Sequence, residues 1–268
     1  MMSVCSMLSK IRRSLSPVTR YDALLLTAAD KYISSFYEGI HSNLPRFSLG
    51  GELNKYFIIY KHNYSFLLPK DSKASILELG PGMGQFLEFL KYNGYKNVKG
   101  IDGSIQIANH CKKQGLAVEY VKSFTEFLKD KIGFYDTIIA NDILEHFKKD
   151  ELFDLLSAMK ETMRPGGYIL GKVPNASACF MGTHTRYIDF THELSFTEQS
   201  LKEIFYALGF SKVEIFEHKL FCYYYNPLNY IGIILTFALK YLQIIIHRLN
   251  GNFGTKIVSA NLIFKAIK

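Results

Sequence analysis

The chain has 268 residues, 48% of them hydrophobic and 21% charged, with 19 Gly and 7 Pro. That is enough for one α/β domain with decoration, short for two full domains, and too apolar for a disordered or collagen-like chain. The net charge of +8 favours anionic partners, but the 32 Lys and Arg are scattered without a long basic block, so no nucleic-acid partner is expected.

Residues 1–70 read as an N-terminal helical cap or lid, and 71–268 as the main domain. The first 20 residues are Ser-rich and basic but lack the apolar run of a secretory signal. Aromatic residues then recur at helical spacing, among them Tyr32, Phe36, Phe57, Tyr60 and Tyr64, interrupted by Gly50 and Gly51. From residue 75 strands and helices alternate. Strands are predicted over 75–79, 97–101, 117–121, 135–140 and 168–173, and helices over 85–93, 105–113, 126–131 and 150–163. The last of these helices must stop at Arg164-Pro165-Gly166-Gly167. Thr197 caps a further helix reaching 208, with Phe196 and Leu201 placed as a hydrophobic staple. Strands follow at 212–217 and 259–267. Crossover helices imply a Rossmann-like, seven-stranded, mostly parallel α/β sheet. The last two strands lack an ordinary crossover helix, which predicts an antiparallel edge strand.

The first strand runs into Gly80-Pro81-Gly82-Met83-Gly84, where glycines let the backbone turn tightly and approach a ligand closely. Asp102 ends the second strand, 22 residues after Gly80, where an acid can accept hydrogen bonds from ribose hydroxyls. A dinucleotide site calls for G-x-G-x-x-G; here the spacing is G-x-G-x-G, preceded by Glu78. A carboxylate facing the loop repels a diphosphate and suits a ligand with a cationic amine.

Four stretches, ILELGPGMG at 76–84, GID at 100–102, FYDTIIANDILEHF at 134–147 and MRPGGYIL at 163–170, together resemble the class I S-adenosylmethionine-dependent methyltransferases. The resemblance covers roughly 70–218 and the final strand. It implies S-adenosyl-L-methionine as cofactor, with Glu78, Gly80, Gly82 and Gly84 around its methionine part and Asp102 on the ribose. It also implies that Asn141 and Asp142 lie between the methionine moiety and the open substrate side. Family members often carry an Asp beside the adenine where this chain has Ser123 and Phe124. The departure leaves Phe124 against the ring, and Ser123 or backbone to meet the exocyclic amine. The stretch RYIDFTHELSFT at 186–197 is similar to a subgroup associated with bacterial surface-polysaccharide gene clusters, which implies sugar O-methylation.

Transfer of a sulfonium methyl requires mainly alignment of the nucleophile, and a hydroxyl nucleophile gains from a general base. His146, His192 and Asp142 are the catalytic candidates. His146 follows Asp142 by four residues. His192 lies in a loop with His184, Arg186, Tyr187, Asp189 and Glu193, at the strand ends where α/β proteins bind ligands. The competing readings are a backbone-bonded His146 at a helix start and a His192 that organises its loop through Asp189 or Glu193. No metal is expected, because a set drawn from His184, Asp189 and His192 lacks a compact ligand motif. The cysteines Cys5, Cys111, Cys179 and Cys222 contain no CxxC pair and read as reduced thiols of a cytoplasmic protein.

An apolar insertion fills 221–256. Within it 228–249 spans 22 residues, about 33 Å as a helix, enough to cross a bilayer. A crossing would strand the last β-strand on the wrong side. Asn229, Thr236, Lys240, Gln243 and His247 form one narrow polar stripe, which predicts a helix lying in a membrane surface with Lys240 reaching water. The alternatives are a homodimer interface or packing on the chain's own domain. Tyr223-Tyr224-Tyr225 suits an interface belt or a substrate groove. The combined expectation is a cytoplasmic enzyme, peripheral on the inner face of the cytoplasmic membrane, that methylates a sugar hydroxyl of a lipid-linked or surface glycan. Two rivals stand beside it. One is a methyltransferase of a lipophilic quinone or phenol under an aromatic lid. The other is a non-catalytic, membrane-associated binding protein on the same fold.

Overall fold

The computed structural model describes residues 55–220 and 227–268. Most of the expected N-terminal cap, with Tyr32 and Phe36, and the run Tyr223-Tyr224-Tyr225 lie outside the described residues. The strands are β1 Ser75–Leu79, β2 Asn97–Asp102, β3 Val118–Tyr120, β4 Tyr135–Asn141, β5 Met163–Pro174, β6 Lys212–Glu217 and β7 Asn261–Ile267. They form one sheet in the order β3-β2-β1-β4-β5-β7-β6. The first five pair in parallel. At the far end β7 runs antiparallel to both β5 and β6, so the sheet is mixed there and β6 is outermost. Strand β5 starts five residues before 168, because Met163 already pairs with Tyr135 ahead of a register shift.

The helices are α1 Lys55–Tyr64, α2 Gln85–Tyr92, α3 Ile105–Lys113, α4 Phe124–Lys129, α5 Lys149–Thr162, α6 Gly182–Tyr187, α7 Glu198–Ala207 and α8 Pro227–Leu249. Capping explains the boundaries. Helix α4 starts two residues earlier than apolar spacing predicts, because the Ser123 hydroxyl accepts the Glu126 N–H. Thr197 caps α7 by accepting the Ser200 N–H at 3.1 Å, and Phe196 and Leu201 are both buried in one core.

Two apolar cores cover the two faces of the sheet. Leu77, Leu79, Ile138, Ala140, Ile169 and Val173 pack on one face with α5 and α7. Ile76, Ile139 and Leu170 pack on the other with Phe86 and Phe89 of α2 and Tyr64 of α1. Side chains alternate along a strand, so the face of Ile76 is also the face of Glu78. By the same parity Asn141 and Lys172 share that face, and they are register partners. The aromatic rings of α1 belong to this core: Tyr60 meets Phe86 edge-on at 4.9 Å, and Phe57 meets Phe89 at 5.6 Å. These described rings are packed rather than poised as a free lid.

Helix α8 reverses the expected orientation. Most of its polar stripe faces the protein; the exception is Thr236, which is exposed and donates to the Gly232 carbonyl of its own helix. Lys240 pairs with Glu217 at the end of β6, Gln243 accepts the Cys179 N–H at 2.8 Å, and His247 Nε2 meets the Ser177 carbonyl at 2.7 Å. Lys240 thus turns its half-buried ammonium toward Glu217 rather than straight out to bulk water. Ile231, Ile234, Leu235, Phe237, Leu242 and Ile245 are exposed on the outward side. The helix anchors through directed polar bonds because the loop after β5 offers unpaired backbone groups that apolar side chains could not satisfy.

Candidate active site

The carboxyl ends of β1, β2 and β4 meet at the glycine loop. Gly80, Gly82 and Gly84 all adopt positive φ, at 60°, 52° and 83°, which favours glycine over any residue with a Cβ. The three differ in their surroundings. A Cβ on Gly80 would lie 2.7 Å from Cδ1 of Ile143, and one on Gly84 would overlap Leu116, whereas none of the described residues lies within 4 Å of a Cβ on Gly82. Gly82 therefore lines an open cradle. Cys111 holds this loop from behind through a 3.4 Å contact with the Gly82 carbonyl.

Glu78 faces the cradle and is 2% exposed. Burial pushes its carboxyl up to about 8, against a hydrogen bond from the Asn141 amide that lowers it. Its Oε2 has no hydrogen-bond partner among the described residues. The Asn141 amide is oriented from behind, because the Tyr64 hydroxyl donates to Asn141 Oδ1 at 2.9 Å. A buried acceptor without a donor is costly, and a cationic amine placed here would satisfy it and restore its charge. Asp102 is also buried. Burial raises its carboxyl to about 6, while Oδ1 accepts the Ser104 N–H at 2.7 Å. Phe124 stands 4.0 Å from a Cβ built on the neighbouring Gly103, and its ring meets Phe147 edge-on at 6.0 Å. Ser123 is occupied as the cap of α4, with its hydroxyl proton still free to donate. The cradle, the orphaned acceptor and the acid at the tip of β2 thus fit an amino-acid ribonucleoside with a cationic amine.

Asp142 closes β4 in the left-handed region at φ 50°, where its N–H donates to the Lys172 carbonyl at 2.8 Å. Its carboxylate pairs with the Lys172 ammonium at 2.7 Å. His218 lies beside this pair; burial and then Lys172 push its imidazole down to about 4.

His146 and His192 come together, with ring centroids 4.7 Å apart. The backbone holds them there, because Glu193 and Leu194 both donate their N–H to the Glu145 carbonyl, at 2.8 and 2.9 Å. Their tautomers follow from their partners. Thr191 donates its hydroxyl to Asp189 at 2.8 Å, so toward His146 Nδ1, also 2.8 Å away, it accepts, and Nδ1 carries the proton. The Thr185 carbonyl, 2.9 Å from His192 Nδ1, only accepts, so that Nδ1 is protonated as well. In the neutral form of each ring this leaves the lone pair on Nε2. Burial, then the His192 ring, lowers the basicity of His146, while Asp189 opposes this.

The two competing readings of these imidazoles differ from the structure in their partners. His192 is held by a backbone carbonyl rather than by the carboxylate of Asp189 or Glu193, and His146 is bonded to a side chain rather than to backbone. His184 does not gather with Asp189 and His192; the residues that approach His192 at ligand distance are Glu145 and His146. Sequence reasoning missed Tyr64, Lys172, Glu145 and Thr191. The period-two pattern that places Glu78 also places Lys172, while the reach of Tyr64 across 77 positions had no local signal.

A family model described as a methyltransferase domain matches residues 54–215, more than half of the chain. No curated protein matches. Among solved structures, a methyltransferase from Archaeoglobus fulgidus dependent on S-adenosylmethionine is 23% identical, over 73% of this chain and 86% of its own, with a TM-score of 0.55. A second, from Mesorhizobium loti, is 15% identical over 78% and 98%, with a TM-score of 0.54. The 1,6-didemethyltoxoflavin-N1-methyltransferase of Burkholderia thailandensis, solved with its substrate and S-adenosylhomocysteine, is 18% identical over 95% and 91%, with a TM-score of 0.52. At these identities the likeness is one of fold.

Proposed function

The chain belongs to the class I S-adenosylmethionine-dependent methyltransferases, and we propose that it O-methylates a sugar hydroxyl of a lipid-linked or surface glycan while resting on the inner face of the cytoplasmic membrane. The observation that carries the finer part is α8. Its polar stripe is spent on Glu217, Ser177 and Cys179, at the same rim of the sheet as the cradle, and its apolar side points away from the protein. At 23 residues it presents about 34 Å of apolar surface, and Leu228–Leu249 is long and apolar enough to cross a membrane. The pairing of β7 with β6 favours an in-plane helix over a crossing one, which would part the two strands. An in-plane membrane contact next to the cradle brings a lipid-borne acceptor to the methyl donor, and the +8 charge favours an anionic leaflet.

S-adenosylmethionine supplies, when bound, an electrophilic methyl on a cationic sulfur. Glu78 would take its amine, Asp102 the ribose hydroxyls, and Phe124 with Ser123 the adenine. Gly82 lets the backbone close on the ligand. Asn141 fixes Glu78 through its amide, and Asp142 turns the chain away from β4 toward the acceptor side. His146 and His192 present Nε2 lone pairs on that side, where an acceptor hydroxyl must lose its proton as the new C–O bond forms.

The test uses the full chain with S-adenosylmethionine, anionic vesicles, and lipid-linked sugars set against quinols and phenols. A glycan that gains one methyl supports the proposal. Methylation confined to the lipophilic acceptors refutes the sugar reading. Vesicle flotation checks the surface. Replacing Ile231, Ile234 and Leu235 by Ser should abolish it without touching the docking stripe, and unchanged flotation refutes the membrane contact.

A further inference from the structure

We propose that Glu145, His146 and His192 form a binding site for a divalent first-row transition-metal ion on the acceptor side of the cradle. A carboxylate oxygen of Glu145 and one nitrogen from each imidazole all lie within 4.8 Å of one another. Bonds of about 2.0–2.2 Å let one ion span ligand atoms about 4 Å apart, so a closure of about 1 Å assembles the site. Three independent features prepare it. Glu145 is 1% exposed, yet neither carboxylate oxygen has a hydrogen-bond partner among the described residues. The neighbouring ammonium of Lys172 is already spent on Asp142. Thr191 and Thr185 hold protons on both Nδ1 atoms, which fixes the tautomer that leaves Nε2 to bind, as partners behind metal-ligating imidazoles do.

The donor set selects the class of ion. Two imidazoles and one carboxylate suit Mn, Fe, Co or Zn, whereas Mg and Ca prefer an all-oxygen shell. Three protein ligands leave positions open to water or to an acceptor oxygen. The ion would take up both lone pairs, so the imidazoles would then orient the acceptor instead of receiving its proton. The site does not depend on the proposed acceptor, because metal binding is measured without cofactor or substrate.

The full chain is stripped with a chelator and titrated with Co²⁺, followed by calorimetry and by the visible absorption of the ion. One ion per chain is expected. Glu145→Gln and His192→Ala should each weaken binding by at least ~100-fold, whereas His184→Ala, on the same loop, should bind as the wild type does. Affinity for S-adenosylhomocysteine, measured on each variant, should be unchanged, which separates loss of a ligand from loss of the fold. A wild-type chain that takes up no Co²⁺, or a Glu145→Gln variant that binds it equally well, overturns the proposal and leaves the imidazoles as proton acceptors.

Discussion

Replacing Asp102 by asparagine separates the cost of the site from its use. The folded chain raises this carboxyl from its ordinary 3.8 to about 6, chiefly by burial. At about 1.4 kcal/mol per pKa unit, that costs the cofactor-free protein about 3 kcal/mol at neutral pH. Below pH ~4 the group is protonated both folded and unfolded, so it contributes no difference. Between pH ~4 and ~6 the unfolded chain ionises first and the wild type loses stability; above that the loss is constant. The substituted amide cannot ionise, and it keeps an oxygen for the Ser104 N–H. The melting temperature of Asp102→Asn should therefore exceed that of the wild type by roughly 6–12 °C at pH 8, with the gap closing toward pH 4. Binding should move the other way. Losing charge-assisted bonds to the ribose should weaken S-adenosylhomocysteine by ~100-fold or more in calorimetry. Wild-type affinity should also rise as pH increases through about 6. A variant that binds as well as the wild type, or a melting gap that ignores pH, would refute both the ribose assignment and the burial argument.

The remaining predictions use other parts of the same cradle. Gly80→Ala meets Ile143 at 2.7 Å in a left-handed backbone and should lower stability by about 2 kcal/mol, read as a denaturant midpoint. Gly82→Ala meets none of the described residues and should cost about 1 kcal/mol of stability, yet weaken the cofactor at least tenfold, because the added methyl projects into the cradle. Tyr64→Phe removes the donor to Asn141 and should cost about 1–2 kcal/mol, with a several-fold loss of cofactor affinity through a loosened Glu78. Glu78→Gln should stabilise the cofactor-free protein increasingly as pH rises from about 4.5 to about 8, and should bind the cofactor poorly throughout; thermal melts across that range provide the check.

Much of this architecture was legible in residue order. Strands β1 and β6 and helix α3 fall where apolar spacing and glycine stops put them, and Glu78, Asp102 and Asn141 meet because strand ends in a parallel sheet must converge. Ser123 misled by two residues, since a side-chain cap outweighs apolar periodicity at a helix start. Two kinds of feature were hidden. Tyr64 and Lys172 act through partners distant in sequence or across the sheet, so no short motif marks them. Helix α8 was read correctly as amphipathic but with the wrong side to the protein, because periodicity fixes which residues share a face and not what that face meets. The sign was set by the carboxylate of Glu217 and the open backbone groups at Ser177 and Cys179, which lie on other elements.

That inverted docking sets the rules for redesigning the helix. Repainting Ile234, Leu235 and Phe237 with hydrophilic side chains would yield a better-behaved reagent at little cost to folding, since the sheet owes them nothing. The same logic applied to Gln243, a change to leucine that any hydropathy-guided optimiser would favour, would remove one of the helix's latches and strand the Cys179 N–H without its acceptor.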